Sequence, residues 1–373
     1  MANSRSRLWP DSGDELILGG ALLDSDEAVL SWRRWHESAD YDNLDFTHQR
    51  LLPLLHENLR RHGVSHPILD RYRAAARRFW AQNQVLYRHA AIELGSLNEL
   101  NVRALFLKGV PLSLEYYAKP RLRPMSDIDI LIDRTNVPAA SKYFLDRGWV
   151  CIDEFIDNLD SLDQIIEVRH GFNLRGTEGQ EIDLHWHIFQ TSYADPQHFW
   201  SNATTFHLNG YEAFTLCPTD HLLHACSQAA GWNIVRPIRW IPDAKAIITK
   251  SEIDWDRLVE NSSRFDLAEP VHDALTVLRD FLGLEIPNAT LAELKSIPTR
   301  FTSRVDYRLS ARRPMPIIGR PLQRYFRYLR IGKSLGLTFS QYMQQLWGVS
   351  SLYKLIVLGT KRVWSSAMGS TKK

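Results

Sequence analysis

RLRPMSDIDILID, residues 121–133, decides how this chain is read. Asp127 and Asp129 lie two apart and alternate with Ile128, Ile130 and Ile132, so on a strand both carboxylates leave one face while the isoleucines enter a core. Two like charges held side by side are costly unless a cation lies between them. A hard divalent ion such as Mg²⁺, shared by a few carboxylates and substrate phosphates, is the common remedy. A second stretch, GQEIDLHWHIF at 179–189, alternates in the same way and puts Glu181, Asp183 and His185 on its polar side. One of these three is expected to complete the cluster.

Working outward, the pattern predicts a short strand from Ala104 to Leu107, a helix from about Pro111 through Tyr117, the strand at 128–132, and a helix from Pro138 to Arg147 closed by Gly148. Further strands are expected near 165–174 and 181–187. Strands alternating with helices indicate a sheet with helical cover. Residues 26–95 read as helical, with Gly95 interrupting or ending the last helix, and the chain turns helical again after about Phe189. Four regions follow: 1–98 mainly helical, 99–190 a mixed α/β core carrying the acids, 191–299 a helical region expected to supply the other wall of the site, and 300–373 a basic helical region.

At 373 residues with 44% hydrophobic content, the chain is a globular protein long enough for more than one domain. Cys151, Cys217 and Cys226 are odd in number and show no metal-ligand spacing, which suits a reducing compartment. The first twenty residues contain no apolar run of signal-peptide length before their acidic residues, so a cytoplasmic location is expected. The overall charge of +2 conceals an asymmetry. From Arg300 onward fifteen Lys or Arg face the single acid Asp306, whereas residues 1–299 carry 30 basic and 42 acidic groups. Arg320, Arg324, Arg327 and Arg330 interleave with Leu322, Tyr325, Phe326 and Leu329, describing a basic amphipathic helix. Such a helix either docks on the acidic body or meets an anionic surface such as a membrane, to which the protein would then be peripheral. The acidic body disfavours nucleic acid as a partner without excluding it.

The pieces ALFLKGVPLSLEYY (104–117), RLRPMSDIDILID (121–133), ASKYFLDRGW (140–149), RHGFNL (169–174) and EIDLHWHIF (181–189) together resemble the uncharacterised nucleotidyltransferase family within the polymerase-β-like nucleotidyltransferase superfamily. The resemblance spans roughly residues 99–190. It implies an α+β fold, a polymerase-β-like core with a mixed sheet, flanked by N-terminal and C-terminal helical regions. It assigns Asp127 and Asp129 to the metal-binding pair and Asp183 to the third catalytic, metal-binding position. The activity it implies is Mg²⁺- or Mn²⁺-dependent transfer of a nucleoside monophosphate from an NTP, with ATP the expected nucleotide. The acceptor, whether small molecule, sugar, peptide or protein, is left unidentified. Where the superfamily usually has Gly-Ser or Gly-Gly after its first strand, this chain has Lys108-Gly109-Val110.

The residues around the acids suggest individual roles. Gly109 permits close approach of backbone to a phosphate, and Lys108 offers a mobile positive charge to it or an ion pair to a strand acid. Arg123 is expected to clamp a phosphate with its planar donor fork, with Arg121 as the competing candidate. His185 is expected to hydrogen-bond a carboxylate beside the nucleotide; a zinc site of Asp183, His185 and His187 is the weaker alternative, and His170 is either a similar support or a core histidine. The far wall is expected from His221 and His224 and from Arg236, Arg239 and Asp243, while Trp232 and Trp240 read as core. Two other classes of function stay open: an inactive nucleotide-binding or partner-binding module on the same fold, and a membrane-associated scaffold using the basic tail.

Overall fold

A computed structural model describes residues 6–153, 162–189, 197–230, 237–311, 319–330, 336–349 and 351–369. Its centre is a seven-stranded mixed sheet: β1 (Ala104–Leu107), β2 (Ile128–Ile132), β3 (Val150–Cys151), β4 (Gly171–Arg175), β5 (Glu181–His185), β6 (Thr204–Leu208) and β7 (Tyr211–Thr215), in the order β3-β4-β5-β2-β1-β7-β6. β2 runs parallel to β5, and β1 parallel to β7; the other neighbours are antiparallel. With many helices around this sheet, the fold is α+β, as the sequence leads one to expect.

The two faces of β2 enter different cores. Ile128, Ile130 and Ile132 join Phe106, Leu94 and Phe144 beneath the long Ile68–Glu99 helix. Leu131 points the other way, with Leu105 and Leu107, into a core shared with the N-terminal helices and the helices between 218 and 282. Asp129 lies on that second face, so the alternation that buries three isoleucines also aims a carboxylate at the helical half.

Four local expectations need correction. The Ile68–Glu99 helix passes straight through Gly95. Burial of Leu94 and Leu97 outweighs the cost of about 1 kcal/mol that a helical glycine carries; a Cβ there would meet Tyr211 of β7 only at an ordinary contact distance of 3.9 Å. Residues 165–168 are helical, in Leu162–Val168, and the strand begins only at Gly171. A short apolar run does not reveal its period, and here Ile165, Ile166 and Val168 are buried from a helix. The predicted helix at 111–117 is one turn, Gly109–Pro111, running into the π-turn Leu112–Tyr116.

The fourth correction is the largest. The stretch 191–299, expected to be helical, contributes β6 and β7, which join the sheet against β1. Their hairpin turns at Asn209-Gly210, both with positive φ (48° and 90°), the conformation that Asn-Gly adopts at little cost in two-residue hairpins. Phe206, Leu208 and Ala213 alternate into the core beside them.

The basic tail forms the helices Phe301–Ala311, Gly319–Arg330, Phe339–Leu346 and Leu352–Gly369. The expected amphipathic helix is Gly319–Arg330, but its apolar residues divide. Tyr325 and Tyr328 pack with Tyr342, Met343 and Leu346 against Val168, while Leu322, Phe326 and Leu329 face outward. Among the described residues no helix is long and apolar enough to cross a membrane.

Candidate active site

Strand register assembles the site. Leu107 of β1 is opposite Asp129 of β2, and Asp129 is opposite Asp183 of β5. Lys108, one residue beyond β1, therefore arrives beside Asp129, and its Nζ lies 2.5 Å from Asp129 Oδ1. His185, two residues after Asp183 and on the same face, inserts Nε2 between the acids, 3.0 Å from Asp183 Oδ2 and 3.3 Å from Asp129 Oδ1. Asp127 precedes β2 by one residue and accepts a hydrogen bond from Ser126 Oγ at 3.2 Å. Gly171 of the neighbouring β4 leaves the room this histidine needs: a Cβ there would lie 3.1 Å from His185 Nδ1 and 2.6 Å from the Leu184 carbonyl.

The charges tune one another. Burial opposes protonation of His185, yet the Asp183 charge and the hydrogen bonds to both acids lift its pKa to about 9. Burial would raise the Asp129 pKa, but Lys108 and His185 hold it well below the usual carboxylate range. Asp127 goes the other way, raised by burial and by the neighbouring Asp129 charge. Its raised pKa marks repulsion that a bound cation would relieve. His170, whose ring centre is 5.6 Å from that of His185, is kept neutral by burial and by the His185 charge.

The donor set suits a divalent cation. Ligand atoms of Asp129, Asp183 and His185 all lie within 4.8 Å of one another, and the Asp127 charge acts on the same group. Two carboxylates on adjacent strands match a hard ion, and the imidazole matches a softer one. Lys108 and His185 supply positive charge at those carboxylates, as a metal would. Lys108 also has φ +47° and ψ −108°, a conformation that costs a non-glycine residue about 1–3 kcal/mol and is found mainly where the surroundings impose it.

Asp127, Asp129 and Lys108 open on a cleft of about 220 Å³ between the sheet and the helices Pro218–Ala229 and Trp240–Lys250. Its basic groups differ from those the sequence suggested. Arg123 is buried and gives Nε and Nη2 to Asp243 at 2.8 and 2.9 Å, and Tyr117 donates to the same carboxylate at 2.7 Å. Its fork is thus already filled, which removes the expected phosphate clamp and explains Asp243 as its partner. Arg121 turns toward Glu57, 3.4 Å away. Arg239 and Arg50 line the cleft instead, Arg239 donating to the Pro124 carbonyl at 2.9 Å and Arg50 to Ser126 Oγ at 2.6 Å. Arg50, in the turn between the helices Phe46–Gln49 and Leu52–Arg61, was missed because it is 76 residues from Ser126 in the chain.

Gly109 lines the cleft, but its lack of a side chain is required on the inner side, where a Cβ would meet Met125 Sδ at 2.9 Å. His221 and His224 also line it; burial lowers both pKa values, that of His221 to about 3, so they face the cleft as neutral groups. His187 is buried, with its backbone N–H on the His170 carbonyl, and is not one of the ligand groups that cluster with Asp183 and His185. Trp240 is core, as expected, while Trp232 and Arg236 lie outside the described residues.

A mixed sheet presenting paired strand carboxylates to a basic cleft defines a protein of the nucleotidyltransferase type. The chain belongs to the uncharacterised nucleotidyltransferase family, whose model matches residues 46–283, more than half of its length. It is similar to the crystal structure of an antigenic nucleotidyltransferase-like protein from Paracoccidioides brasiliensis, at 16% identity over 58% of this chain and 94% of that one, with a TM-score of 0.33. So loose a likeness adds nothing on activity. A search of curated proteins gave no match.

Proposed function

We propose that this protein transfers a nucleoside monophosphate from an NTP, ATP being the expected donor, to an acceptor oxygen. The oxygen attacks the α-phosphorus, the bond from that phosphorus to the β-phosphate bridge breaks, and pyrophosphate leaves. The observation that carries this reading is the register pairing of Asp129 with Asp183, with Asp127 at the mouth of the same strand. Mg²⁺ or Mn²⁺ held by Asp127, Asp129 and Asp183 would neutralise the attacking and leaving oxygens. The chain's own groups then divide the work. Arg239, Arg50 and Lys108 attract and orient the triphosphate, because charge-assisted hydrogen bonds to phosphate are strong and directional. Asp183, partly exposed, holds the acceptor hydroxyl and takes its proton. His185 positions both acids, and its protonation state sets how much negative charge they present.

Calorimetric titration with a nonhydrolysable NTP tests the reading. Binding is expected to require Mg²⁺ or Mn²⁺ and to weaken strongly in Asp129→Ala. Equal affinity without metal and in the variant would remove the assignment.

A second reading is favoured by one observation. Because Lys108 already neutralises Asp129, the site is tolerable without an ion, and an NTP-binding module lacking turnover would look similar. Incubation with labelled NTPs and a metabolite extract, followed by mass analysis for added nucleoside monophosphate, separates the two and identifies the acceptor.

A further inference from the structure

Asp183 does not line the cleft that Asp127, Asp129 and Lys108 open on, although His185 ties it to Asp129. It borders a second cavity, of about 190 Å³, whose other walls include His170, Asn173 and Arg169 from the sheet side and Arg324 and Tyr342 from the tail helices. Those tail residues lie beyond residue 283, outside the part of the chain that matches the family. The tail is seated there by its own core, in which Tyr328, Tyr342, Met343 and Leu346 pack on Val168, two residues before His170.

The cavity is rich in guanidinium groups. Arg169 is anchored, giving Nε to the Leu346 carbonyl at 2.9 Å and approaching Asp153 at 3.3 Å. Arg327 is anchored on Asp306 and donates to Ser310 Oγ at 3.2 Å. Arg324, between them, has no hydrogen bond or ion pair among the described residues, although it lines the cavity and is largely enclosed. Burial, and then the charges of Arg169 and Arg327, depress its pKa, opposed by Tyr342 and Asp153. An enclosed guanidinium among like charges, with its donor fork unused, is stabilised by an anion that fits the fork.

We propose that this cavity is the acceptor site, and that the acceptor carries a phosphate group held by Arg324 while its hydroxyl rests against Asp183. The proposal rests on the nucleotidyl-transfer reading and names its second substrate class. The hydroxyl oxygen bonds to the α-phosphorus, pyrophosphate leaves, and the proton passes to Asp183. The basic tail then has a local role, reading the acceptor on the β4 side of Asp183, on the sheet face that also carries Asp129.

Arginine-directed modification of the intact, wild-type chain by phenylglyoxal, mapped by peptide mass, tests this without a substitution. Inorganic phosphate is expected to slow modification of Arg324 by at least about tenfold, with succinate protecting less and Arg121, which lines neither cavity, unaffected. In Arg324→Gln, inorganic phosphate affinity is expected to fall by about tenfold while Mg²⁺-dependent binding of a nonhydrolysable NTP stays within about twofold. Equal modification of Arg324 with and without phosphate, or undiminished phosphate affinity in the variant, overturns the acceptor site and leaves the nucleotide reading standing. Stronger protection by succinate overturns the phosphate assignment. Phosphate protection of Arg324 in a protein that shows no metal-dependent NTP binding keeps the anion site and removes the nucleotidyl-transfer reading instead.

Discussion

Two clusters of buried charge sit within one small region and are built in opposite ways. In the first, Arg123 and Asp243 pair through two parallel hydrogen bonds, and Tyr117 closes on the same carboxylate. In the second, Asp129 and Asp183 share the single nitrogen Nε2 of His185, Asp129 also pairs with Lys108, and Asp127 accepts from Ser126 Oγ. The first cluster satisfies its members and offers a ligand nothing. The second leaves three carboxylates against two cations, and it adjoins a cleft lined by further arginines. A completed ion pair holds the wall in place, and an incomplete one is where chemistry can occur.

The contrast is sharpest in stability. Asp243→Ala strands the Arg123 charge in the interior and is expected to cost about 3–5 kcal/mol, read as a loss in denaturant midpoint. A cost under about 1 kcal/mol would break the claim that this cluster is structural. Asp183→Asn is expected to fold normally, bind Mg²⁺-NTP within a few-fold of wild type, and lose at least about 100-fold in turnover, since what it removes acts mainly in the transition state. Near-normal turnover in a folded variant would move the search to Glu181 or His185.

The smallest effect concerns pH. His185 has a folded pKa of about 9, above the ordinary value of 6.5, so the folded state binds the extra proton between those limits. Its stabilisation is complete below about pH 6.5 and is lost as pH rises through about 9, at up to about 1.4 kcal/mol per pH unit. Thermal melts of metal-free protein should show Tm falling across that window, and His185→Gln should flatten the fall. An unchanged slope in the variant would remove the imidazolium bridge.

Local pattern made much of this legible. β2 and β5 were readable from their alternation and β1 as a short apolar run, and Asp127, just ahead of β2, lines the same cleft as Asp129. The pairing of Lys108 with Asp129 was one of two options on view. What sequence left hidden depended on distance along the chain. Arg123 finds Asp243 across 120 residues, so the fork that looked free for phosphate was spent elsewhere. Arg50 and Arg239 reach the cleft only through helix packing. The β6–β7 hairpin is different, because its Asn209-Gly210 turn between alternating segments is a local signal that sequence reading overlooked.

That hairpin also decides where the protein can be cut. β1, whose four residues Ala104–Leu107 are all buried, lies inside the sheet because β7 hydrogen-bonds along its outer side. A fragment ending near residue 190 would keep all three acids yet leave a bare strand edge of Ala-Leu-Phe-Leu, with neither charge nor proline to deter a second copy from adding to it. Such a fragment should self-associate, and recombinant versions meant to stay monodisperse should extend at least past Thr215.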